Sequence, residues 1–491
     1  MGATYPPTFR CWNPAMRIRF YLSSVAILLV CFSATCAEDW PQFRGLNSAG
    51  LATPGTTLPL EVGPEKNVVW KVPLMPGHSS PAIVKNRIFL TGVRDKEKLF
   101  TFALDRATGQ ILWEQEAPHK SLEKIHSIGS YAQSSPVADD ERVVSFFGSS
   151  GLYCYDHAGK LLWKKEMGPF PNDFGAGSSP IISGDRVILC QDHDQGAFLA
   201  AYDKRTGAEL WKVDRGLEYS RNYCTPAIWN VGGKQQIVLA GTLKVAGFDI
   251  ETGKQIWKIS GVSRVVCTTP VVGDDQNLYI GCWSAGGEPG ERISLEPFEK
   301  VAAESDANKD GAFEEDELPK GALKQRFSQC DRDKDGKVTK AEYDEFRMLF
   351  DQSQNVLLSI SPGGVGDISD THVRWRLERH LPFCASPLYY KGLVFMMKDG
   401  GILSTVDTKT GDLKRTARVP GTGDFYCSPV AGDGKVFVIS DDGKLTVASA
   451  EEQWKVLSTA DFGEPTYATP AIVDSKLFIR TAGHLFCFGS K

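Results

Sequence analysis

The chain has 491 residues, longer than most single domains, and its 48 glycines and 10% aromatic residues are typical of a turn-rich globular protein. Its 55 basic and 60 acidic side chains give a net charge of only −5, without a basic stripe. This balance argues against a nucleic-acid partner.

The N-terminal 37 residues have the pattern of an export signal. Two basic residues, Arg17 and Arg19, precede a short apolar stretch, and small residues follow up to Ala37. We therefore expect residues 1–37 to be a signal peptide. The mature chain would be exported to the periplasm or out of the cell, without a transmembrane anchor. The alternative is a lipoprotein modified at Cys36, although the residue before it suits that modification poorly.

A Ser-Pro or Thr-Pro pair opens an alternating apolar run eight times. The steps between the prolines are 41 to 55 residues, apart from one of 117. This period is that of propeller blades, and proline suits the first residue of a strand because its missing N–H is not needed there. The eight prolines are Pro81, Pro136, Pro180, Pro226, Pro270, Pro387, Pro429 and Pro470.

Several repeats close with the pattern Asp-x-x-Thr-Gly-x-x-x-Trp, as in residues 105–113, 203–211 and 249–257. Asp and Gly suit a tight hairpin turn, and the tryptophan can wedge between neighbouring sheets. The eighth repeat lacks this last strand, whereas residues 68–72 form such a strand without a blade. We therefore predict an all-β, eight-bladed β-propeller in which residues 68–72 complete blade eight and protect the sheet edges.

The long step holds an acidic, helix-prone insert in blade five. Residues 284–354 form this insert and divide the propeller into residues 38–283 and 355–491. Two tandem loops match the 12-residue EF-hand pattern, with Gly311 and Gly336 at the sixth position, where the loop turns sharply. The connecting helix must be short, because the two loops start only 25 residues apart.

Calcium requires six to eight oxygen ligands, which these loops supply from alternate residues and a final bidentate glutamate. Phe313 and Val338 are expected to pair as the short strand that joins the loops. The alternatives are magnesium binding and an acidic helix pair that binds no metal. The expected ligands, with backbone carbonyls at Ala312 and Lys337, are Asp306, Asn308, Asp310, Ala312, Glu314 and Glu317, then Asp331, Asp333, Asp335, Lys337, Thr339 and Glu342.

Two further stretches carry a family resemblance. Residues 39–45 (Asp-Trp-Pro-Gln-Phe-Arg-Gly) resemble the opening of exported bacterial proteins with PQQ-like β-propeller repeats. Residues 363–367 and 371–375 resemble the closing strand of their fifth blade. The family is related to BamB-type outer-membrane assembly factors and to quinoprotein alcohol dehydrogenases. The resemblance covers essentially the whole mature chain and implies the fold more strongly than the function.

Quinoprotein dehydrogenases hold pyrroloquinoline quinone on the propeller axis, with a calcium ion bound by Glu and Asn, an Asp base and a disulfide between adjacent cysteines. This chain has no adjacent cysteines and matches none of those motifs. The resemblance therefore does not favour the quinone as a cofactor here.

The mouth of the axial channel is the expected ligand site. Arg221, Asn222 and Arg264 are expected to add donors there, for a small polar ligand or an extended peptide. The alternative is that these side chains only fill the channel and bind water. The residues three positions before each proline, which we expect to face the mouth, are His78, Gln133, Gly177, Tyr223, Cys267, Cys384, Tyr426 and Tyr467.

Two other features are interpreted as structural. The Asp192-His193-Asp194 sequence falls in a hairpin and is expected to be a solvated turn. Cys224 and Cys427, each two positions before a proline, are expected to be small buried residues.

The leading hypothesis is a calcium-binding, exported, non-catalytic binding or scaffold protein of the cell envelope with a protein or peptide partner. The alternative is an oxidoreductase that holds a quinone or another cofactor in the axial funnel. A third interpretation is an extracellular calcium-stabilised module that binds carbohydrate or peptide.

Overall fold

A computed structural model describes residues 1–2 and 38–490, apart from residues 171, 194–195, 217–220, 289, 291 and 422. The predicted signal peptide, except for its first two residues, therefore lies outside the described residues. Within the described part of the chain, no helix is both long and apolar enough to cross a membrane.

Eight sheets form the blades of a β-propeller: seven are antiparallel with four strands, and blade four has a fifth strand on its outer edge. Each blade begins with its innermost strand except where the ring closes. The strands up to blade four are β1 (Val68–Pro73); in blade one β2 (Ala82–Val84), β3 (Arg87–Arg94), β4 (Lys98–Asp105) and β5 (Ile111–Glu116); in blade two β6 (Val137–Ala138), β7 (Arg142–Phe146), β8 (Leu152–Asp156) and β9 (Leu161–Lys165); in blade three β10 (Ile181–Ser183), β11 (Arg186–Gln191), β12 (Phe198–Asp203) and β13 (Glu209–Asp214); and in blade four β14 (Ala227–Val231), β15 (Lys234–Gly241), β16 (Lys244–Asp249) and β17 (Gln255–Ser260).

Blade five is interrupted by the insert, which contains three helices and a two-stranded ribbon. In chain order the remaining elements are β18 (Val271–Val272), β19 (Leu278–Cys282), α1 (Phe298–Ser305), β20 (Ala312–Phe313), α2 (Phe327–Cys330), β21 (Val338–Thr339), α3 (Lys340–Gln352), β22 (Val356–Ile360), β23 (Gly366–Asp367) and β24 (Val373–Leu377); in blade six β25 (Leu388–Tyr390), β26 (Leu393–Lys398), β27 (Ile402–Asp407) and β28 (Leu413–Arg418); in blade seven β29 (Val430–Gly432), β30 (Lys435–Ile439), β31 (Lys444–Ser449) and β32 (Val456–Asp461); and in blade eight β33 (Ala471–Val473), β34 (Lys476–Arg480) and β35 (His484–Gly489).

The ring closes by pairing its two ends, as the sequence predicts. β1 runs antiparallel to β35, from Val68 opposite Phe488 to Pro73 opposite His484. Blade eight therefore has four strands, and β1 covers the edge that β35 would otherwise expose where the ring closes.

Tryptophans on the outer strands lock successive blades together. The Trp163 ring of blade two packs on the Gly207 turn of blade three, where an added Cβ would lie 2.7 Å from it. Its Nε1 donates a hydrogen bond to Lys204 O at 3.0 Å. Only glycine fits here, because the turn also needs a φ of +72°. The same contact is made by Trp70, Trp113, Trp211 and Trp375.

The junction between blades four and five differs from this pattern. Trp257 turns into its own blade and donates to Gln236 Oε1 at 2.7 Å. β23 instead pairs in parallel with β17 as a fifth strand of blade four, with Trp257 opposite Gly366. The interpretation of residues 363–367 as part of the closing strand of blade five is therefore wrong, and that strand is β24 alone.

The Ser or Thr before each proline forms a ring of hydrogen bonds around the axis, here called the hydroxyl ring. In each link the backbone N–H of one residue donates to the side-chain oxygen of its counterpart in the next blade, at 2.9–3.0 Å. Among the described residues Thr269 Oγ1 has no partner, so a link from Thr225 is not formed. The seven links are Ser80 to Ser135, Ser135 to Ser179, Ser179 to Thr225, Thr269 to Ser386, Ser386 to Ser428, Ser428 to Thr469 and Thr469 to Ser80.

Residues 38–52 form an N-terminal plug that crosses the propeller axis. Trp40 exchanges two 2.7 Å backbone hydrogen bonds with Ile83 of β2. At the end of the plug, Ala431 of β29 donates to Gly50 O and accepts from Ala52 N, both at 2.8 Å. These contacts satisfy backbone groups on the free inner edges of the blades. They fall after the prolines of the repeat, so the plug lies at the opposite end of the inner strands from the predicted mouth.

The Asp192-His193-Asp194 sequence is not a solvated turn. Asp192 is buried, and its two carboxylate oxygens accept hydrogen bonds from Arg215 at 2.6 and 3.0 Å. The buried His193 ring stacks on Phe170 at 4.4 Å. The prediction was wrong because the charge partner lies 23 residues away, after β13. Asp194 itself lies outside the described residues.

We expect Gly207→Ala to be more destabilising than Gly232→Ala. Both glycines have positive φ, but an added Cβ meets Trp163 at Gly207 and open space at Gly232. Overpacking should therefore cost about 1–3 kcal/mol beyond the shared backbone strain. Thermal or urea unfolding of both variants measures the difference in stability. Equal destabilisation would contradict the packing of Trp163 on the Gly207 turn.

Candidate functional site

The propeller axis contains a cavity of about 450 Å³ at the predicted mouth. All eight residues that stand three before the prolines line it, and we call them the mouth ring: His78, Gln133, Gly177, Tyr223, Cys267, Cys384, Tyr426 and Tyr467. Six residues of the hydroxyl ring form the next layer of the wall, and Phe43 reaches the cavity from the plug. The cavity therefore has a defined wall and a floor.

Neighbouring side chains of the mouth ring hold one another in place. His78 stacks on Tyr467 with ring centroids 4.2 Å apart, and Tyr426 lies 5.6 Å from Tyr467. On the other side, Tyr223 donates its hydroxyl to Asn172 Oδ1 at 2.8 Å, and Gln133 donates Nε2 to Phe174 O at 2.7 Å. These contacts preorganise an aromatic wall before any ligand binds.

His78 is neutral at physiological pH. Burial, with a smaller contribution from the positive charge of Arg480, lowers the pKa of His78 from 6.5 to about 4. Its ring therefore offers an aromatic face and a neutral nitrogen, rather than a cation, to a ligand in the cavity.

The positive charge of the cavity lies beside blades four and five. Arg264 lines the wall, its guanidinium stacks on Phe350 at 4.5 Å, and its buried Nε has no hydrogen-bond partner among the described residues. Burial and the nearby Arg326 and Arg221 lower the pKa of Arg264 to about 10, so it remains charged at neutral pH. Arg221 also lines the cavity but is bound to Asp173 at 2.6 Å.

Asn222 does not line the cavity, unlike the other predicted donors. It is buried, its Nδ2 donates to Thr242 Oγ1 at 3.0 Å, and its Oδ1 accepts from the Val266 backbone at 2.9 Å. The side chain is therefore used inside the wall. Sequence reasoning could not separate it from Arg221, because adjacent residues in an irregular segment have no set direction.

Sequence reasoning also missed several aromatic wall residues. Trp283 and Phe383 contact each other edge to face at 5.4 Å and line the cavity. Phe174 and His126 also line the cavity, together with the non-aromatic Gln329 of the insert. Most of these residues lie in loops outside the repeat, so the repeat pattern gives no information about them. Trp283 could have been found from the pattern, because it directly follows β19.

No Asp or Glu lines the cavity among the described residues. Near Tyr426, burial and the neighbouring Asp424 and Asp441 raise the pKa of Asp399. Burial, followed by these three carboxylates and the Cys384 thiol, raises the pKa of Tyr426, so its hydroxyl stays protonated. The cavity wall is thus aromatic and cationic rather than acidic.

The two acidic loops of the insert have matching backbone geometry. As the sequence predicts, β20 pairs with β21 and Phe313 lies opposite Val338. The twelfth residue of each loop accepts backbone hydrogen bonds: Glu317 from Ala307, Asn308 and Glu314 at 3.1–3.3 Å, and Glu342 from Arg332 and Thr339 at 2.9 Å. The connecting helix α2 is short, at four residues.

The second loop already gathers its carboxylates. Oxygens of Asp331, Asp333 and Asp335 lie within 4.8 Å of one another, and Asp331 Oδ1 is buried without a hydrogen-bond partner. Such a convergence of oxygens suits a hard divalent cation.

In the first loop, the corresponding oxygens are neutralised by a lysine. Lys337, from the second loop, forms ion pairs with Asp310 and with Glu314, the latter at 2.8 Å. Its ammonium group holds the pKa of both carboxyls below their usual values. A metal ion in this loop would have to displace that group, so the two loops are not equivalent.

The insert lies against the mouth of the cavity. Gln329 of α2 lines it, and Arg221 Nη2 donates to Ser328 O at 3.4 Å. Phe350 of α3 lies under the guanidinium of Arg264. The second loop begins at Asp331, two residues after Gln329, and is therefore adjacent to the cavity wall.

Comparisons with known proteins agree with this architecture. A family model described as the outer membrane protein assembly factor BamB matches residues 101–280. BamB from Moraxella catarrhalis superposes with a TM-score of 0.54 at 14% identity, covering 86% of this chain and 97% of that one. The chain therefore has the fold of the PQQ-like β-propellers.

Two further solved structures share the PQQ-like propeller fold. The quinohemoprotein alcohol dehydrogenase ADHIIG from Pseudomonas putida HK5 has a TM-score of 0.52 at 10% identity, covering 92% of this chain and 80% of that one. The computationally designed Ika8 protein has a TM-score of 0.53 at 12% identity, covering 86% of this chain and all of that one. No curated protein sequence matches the chain. At these identities the likeness shows the fold alone.

The lowered pKa of His78 predicts a component of acid sensitivity. Because its folded-state pKa is about 4 and its ordinary value 6.5, the unfolded chain takes up the proton first. Stability is therefore lost as the pH falls from about 6.5 to about 4. His78→Gln should remove this component, which urea midpoints measured across that range would show. If the urea midpoints of the two proteins changed with pH in parallel, the lowered pKa of His78 would be contradicted.

Proposed function

We propose that the protein is a calcium-binding, exported and non-catalytic binding protein of the cell envelope. Its axial cavity takes a small anionic ligand that carries a flat ring, and its insert holds the calcium. The observation that carries this proposal is the preorganised aromatic wall of the cavity, with the unpartnered Nε of Arg264 on one side.

The chemistry of the wall supports this ligand class. Stacked rings such as His78 and Tyr467 favour a planar partner. An arginine with free donor capacity favours a carboxylate, sulfonate or phosphate. A cavity of about 450 Å³ is of the size that small-molecule sites have.

Calcium binding is supported by the two loops of the insert. Each has the full set of alternating oxygen ligands, and the second brings three carboxylates together around the unpartnered Asp331 Oδ1. Envelope localisation is supported by the N-terminal sequence pattern and by the match to a family model named for outer-membrane assembly.

The alternative is a quinone-dependent oxidoreductase, as in the dehydrogenase with the same fold. The residues present do not fit a metal-bound quinone on the axis, because no described carboxylate lines the cavity to hold the metal or to act as a base. Calcium in the insert would not replace it, since Asp331, Asp333 and Asp335 belong to a separate group of ligands. We therefore derive no redox step.

We expect Arg264→Gln to weaken binding of anilinonaphthalene sulfonate, a fluorescent anionic aromatic probe, by about tenfold to a hundredfold. A hydrogen bond to a charged group is worth about 1.5–3 kcal/mol, and this variant removes it. Fluorescence titration measures the dissociation constants.

The neutral probe N-phenyl-1-naphthylamine serves as the ligand control, because it has the same rings without the sulfonate and should bind both proteins alike. The exposed Arg205→Gln is the protein control. Equal loss of both probes, or no binding of the anionic probe to the wild type, would contradict the proposal. Alcohol oxidation by the protein with added pyrroloquinoline quinone would favour the alternative.

For calcium, we expect the wild type to bind two ions and Glu342→Gln to lose the ion of the second loop, since it removes a bidentate ligand. Lys337→Gln should tighten the first site by about two- to fivefold, because it removes a competing ammonium group. Calorimetric titration of the metal-free protein measures both effects.

Two exposed positions of the insert provide matched controls. Asp344→Asn removes an acid outside the loops, and Lys320→Gln removes a lysine between them. Neither should change stoichiometry. A wild type that binds no calcium would overturn this half of the proposal, and weaker binding by Lys337→Gln would contradict the inequality of the loops.

A further inference from the structure

The mouth ring contains two cysteines in adjacent blades. Cys267 precedes blade five and Cys384 precedes blade six, both are partly exposed, and both line the cavity. The neighbouring Cys267 thiol, together with burial, raises the pKa of Cys384. The insert separates them in sequence but not in space.

The hydroxyl ring sets the spacing of this pair. Two residues after each cysteine, Thr269 N donates to Ser386 Oγ at 2.9 Å, so the two strands begin next to each other. At the same level of the ring, His78 and Tyr467 of blades one and eight are in stacking contact at 4.2 Å. A disulfide requires Cα atoms about 4.4–6.8 Å apart, and the bond between Thr269 and Ser386 sets the two strand starts side by side at this level.

Other cysteines of the propeller are placed differently. They are buried, and their thiols donate to interior acceptors: Cys190 to Asp192 Oδ1, Cys224 to Thr225 O, Cys282 to Val356 O and Cys427 to Ala468 O. Burial raises the pKa of each of them, which suppresses the reactive thiolate. The pair on the cavity wall is thus distinguished by access and by mutual proximity.

We propose that Cys267 and Cys384 form a disulfide in the wall of the axial cavity, joining blades five and six. The bond arises by exchange with an external disulfide of the glutathione or protein type. One cysteine thiolate attacks that disulfide and expels a thiolate, and the second cysteine then attacks the mixed disulfide and expels the other. The two protons lost by the cysteines pass to the two released thiols, and the external disulfide is the species reduced.

This bond would constrain the part of the propeller that carries the insert. The loop it closes, between residues 267 and 384, contains the whole insert, so oxidation should raise the melting temperature. It also lies next to blades four and five, where the hydroxyl ring lacks its eighth link. Because thiolate is the attacking species and the pKa of Cys384 is raised, bond formation should be faster at higher pH.

The test is a thiol count and peptide map of the protein spanning residues 38–491, which has nine cysteines. Reduced protein is treated with oxidised glutathione and then denatured in the presence of an alkylating agent, which blocks the remaining thiols. The product is digested with trypsin. We expect two of the nine thiols to be lost without bound glutathione, and peptide 265–292 to be joined to peptide 380–391. Fragment ions must place the link at Cys267, because Cys282 lies in the same peptide.

Cys267→Ser and Cys384→Ser should each prevent the loss of two thiols on oxidation. Cys224→Ser, which replaces a buried cysteine, should still lose two thiols. The wild-type map alone decides the proposal if a variant fails to fold. Nine free thiols after oxidation, a glutathione adduct in place of the cross-link, or a link to Cys282 would overturn it. Neither ligand nor calcium enters this experiment, so its outcome is separate from that of the proposed function.

Discussion

The architecture depends on the hydrogen bonds that link the blades around the axis. Each link ties the first residues of one inner strand to those of the next, as Ser80 does with Ser135 at 2.9 Å. The hydroxyl oxygen at this position is needed because it is the acceptor for the backbone N–H of the counterpart in the neighbouring blade. With eight blades, this ring leaves a central opening, and the residues two positions earlier stand around its rim. The binding cavity is thus a direct consequence of the repeat.

Two other features turn that opening into a site. The N-terminal plug crosses the axis beyond the inner strands and sends Phe43 into the cavity, which closes one end. The insert lies at the other end, where Gln329 lines the wall and Phe350 supports Arg264. The cation of the cavity is therefore held by the same element that carries the acidic loops. The proposed metal site in the insert and the proposed ligand site in the cavity are adjacent but use different residues.

Much of the fold could be predicted because its signals are periodic. The prolines marked every blade, and the unpaired strand at residues 68–72 predicted the closure that β1 and β35 make. The same period placed all eight mouth-ring residues on the cavity wall.

Features that break the period could not be predicted in this way. Asp192 is buried because Arg215 meets it, and Asn222 turns away from the cavity toward Thr242; both depend on contacts between segments distant in sequence. The plug was visible only as a resemblance, since its role depends on where it crosses the ring. Lys337 matched a carbonyl ligand by position, whereas its side chain reaches the other loop.

The proposed function places ligand and calcium in separate sites. The ligand binds in the aromatic and cationic cavity, and calcium binds in the acidic insert. A crystal structure of the protein with calcium and anilinonaphthalene sulfonate, with calcium located by its anomalous scattering, tests this arrangement most directly. We expect the sulfonate of the probe to lie beside Arg264 and calcium to lie in the loop that begins at Asp331, with no ion on the propeller axis. A calcium ion on the axis in contact with the ligand, or a funnel that stays empty while the probe binds elsewhere, would contradict it.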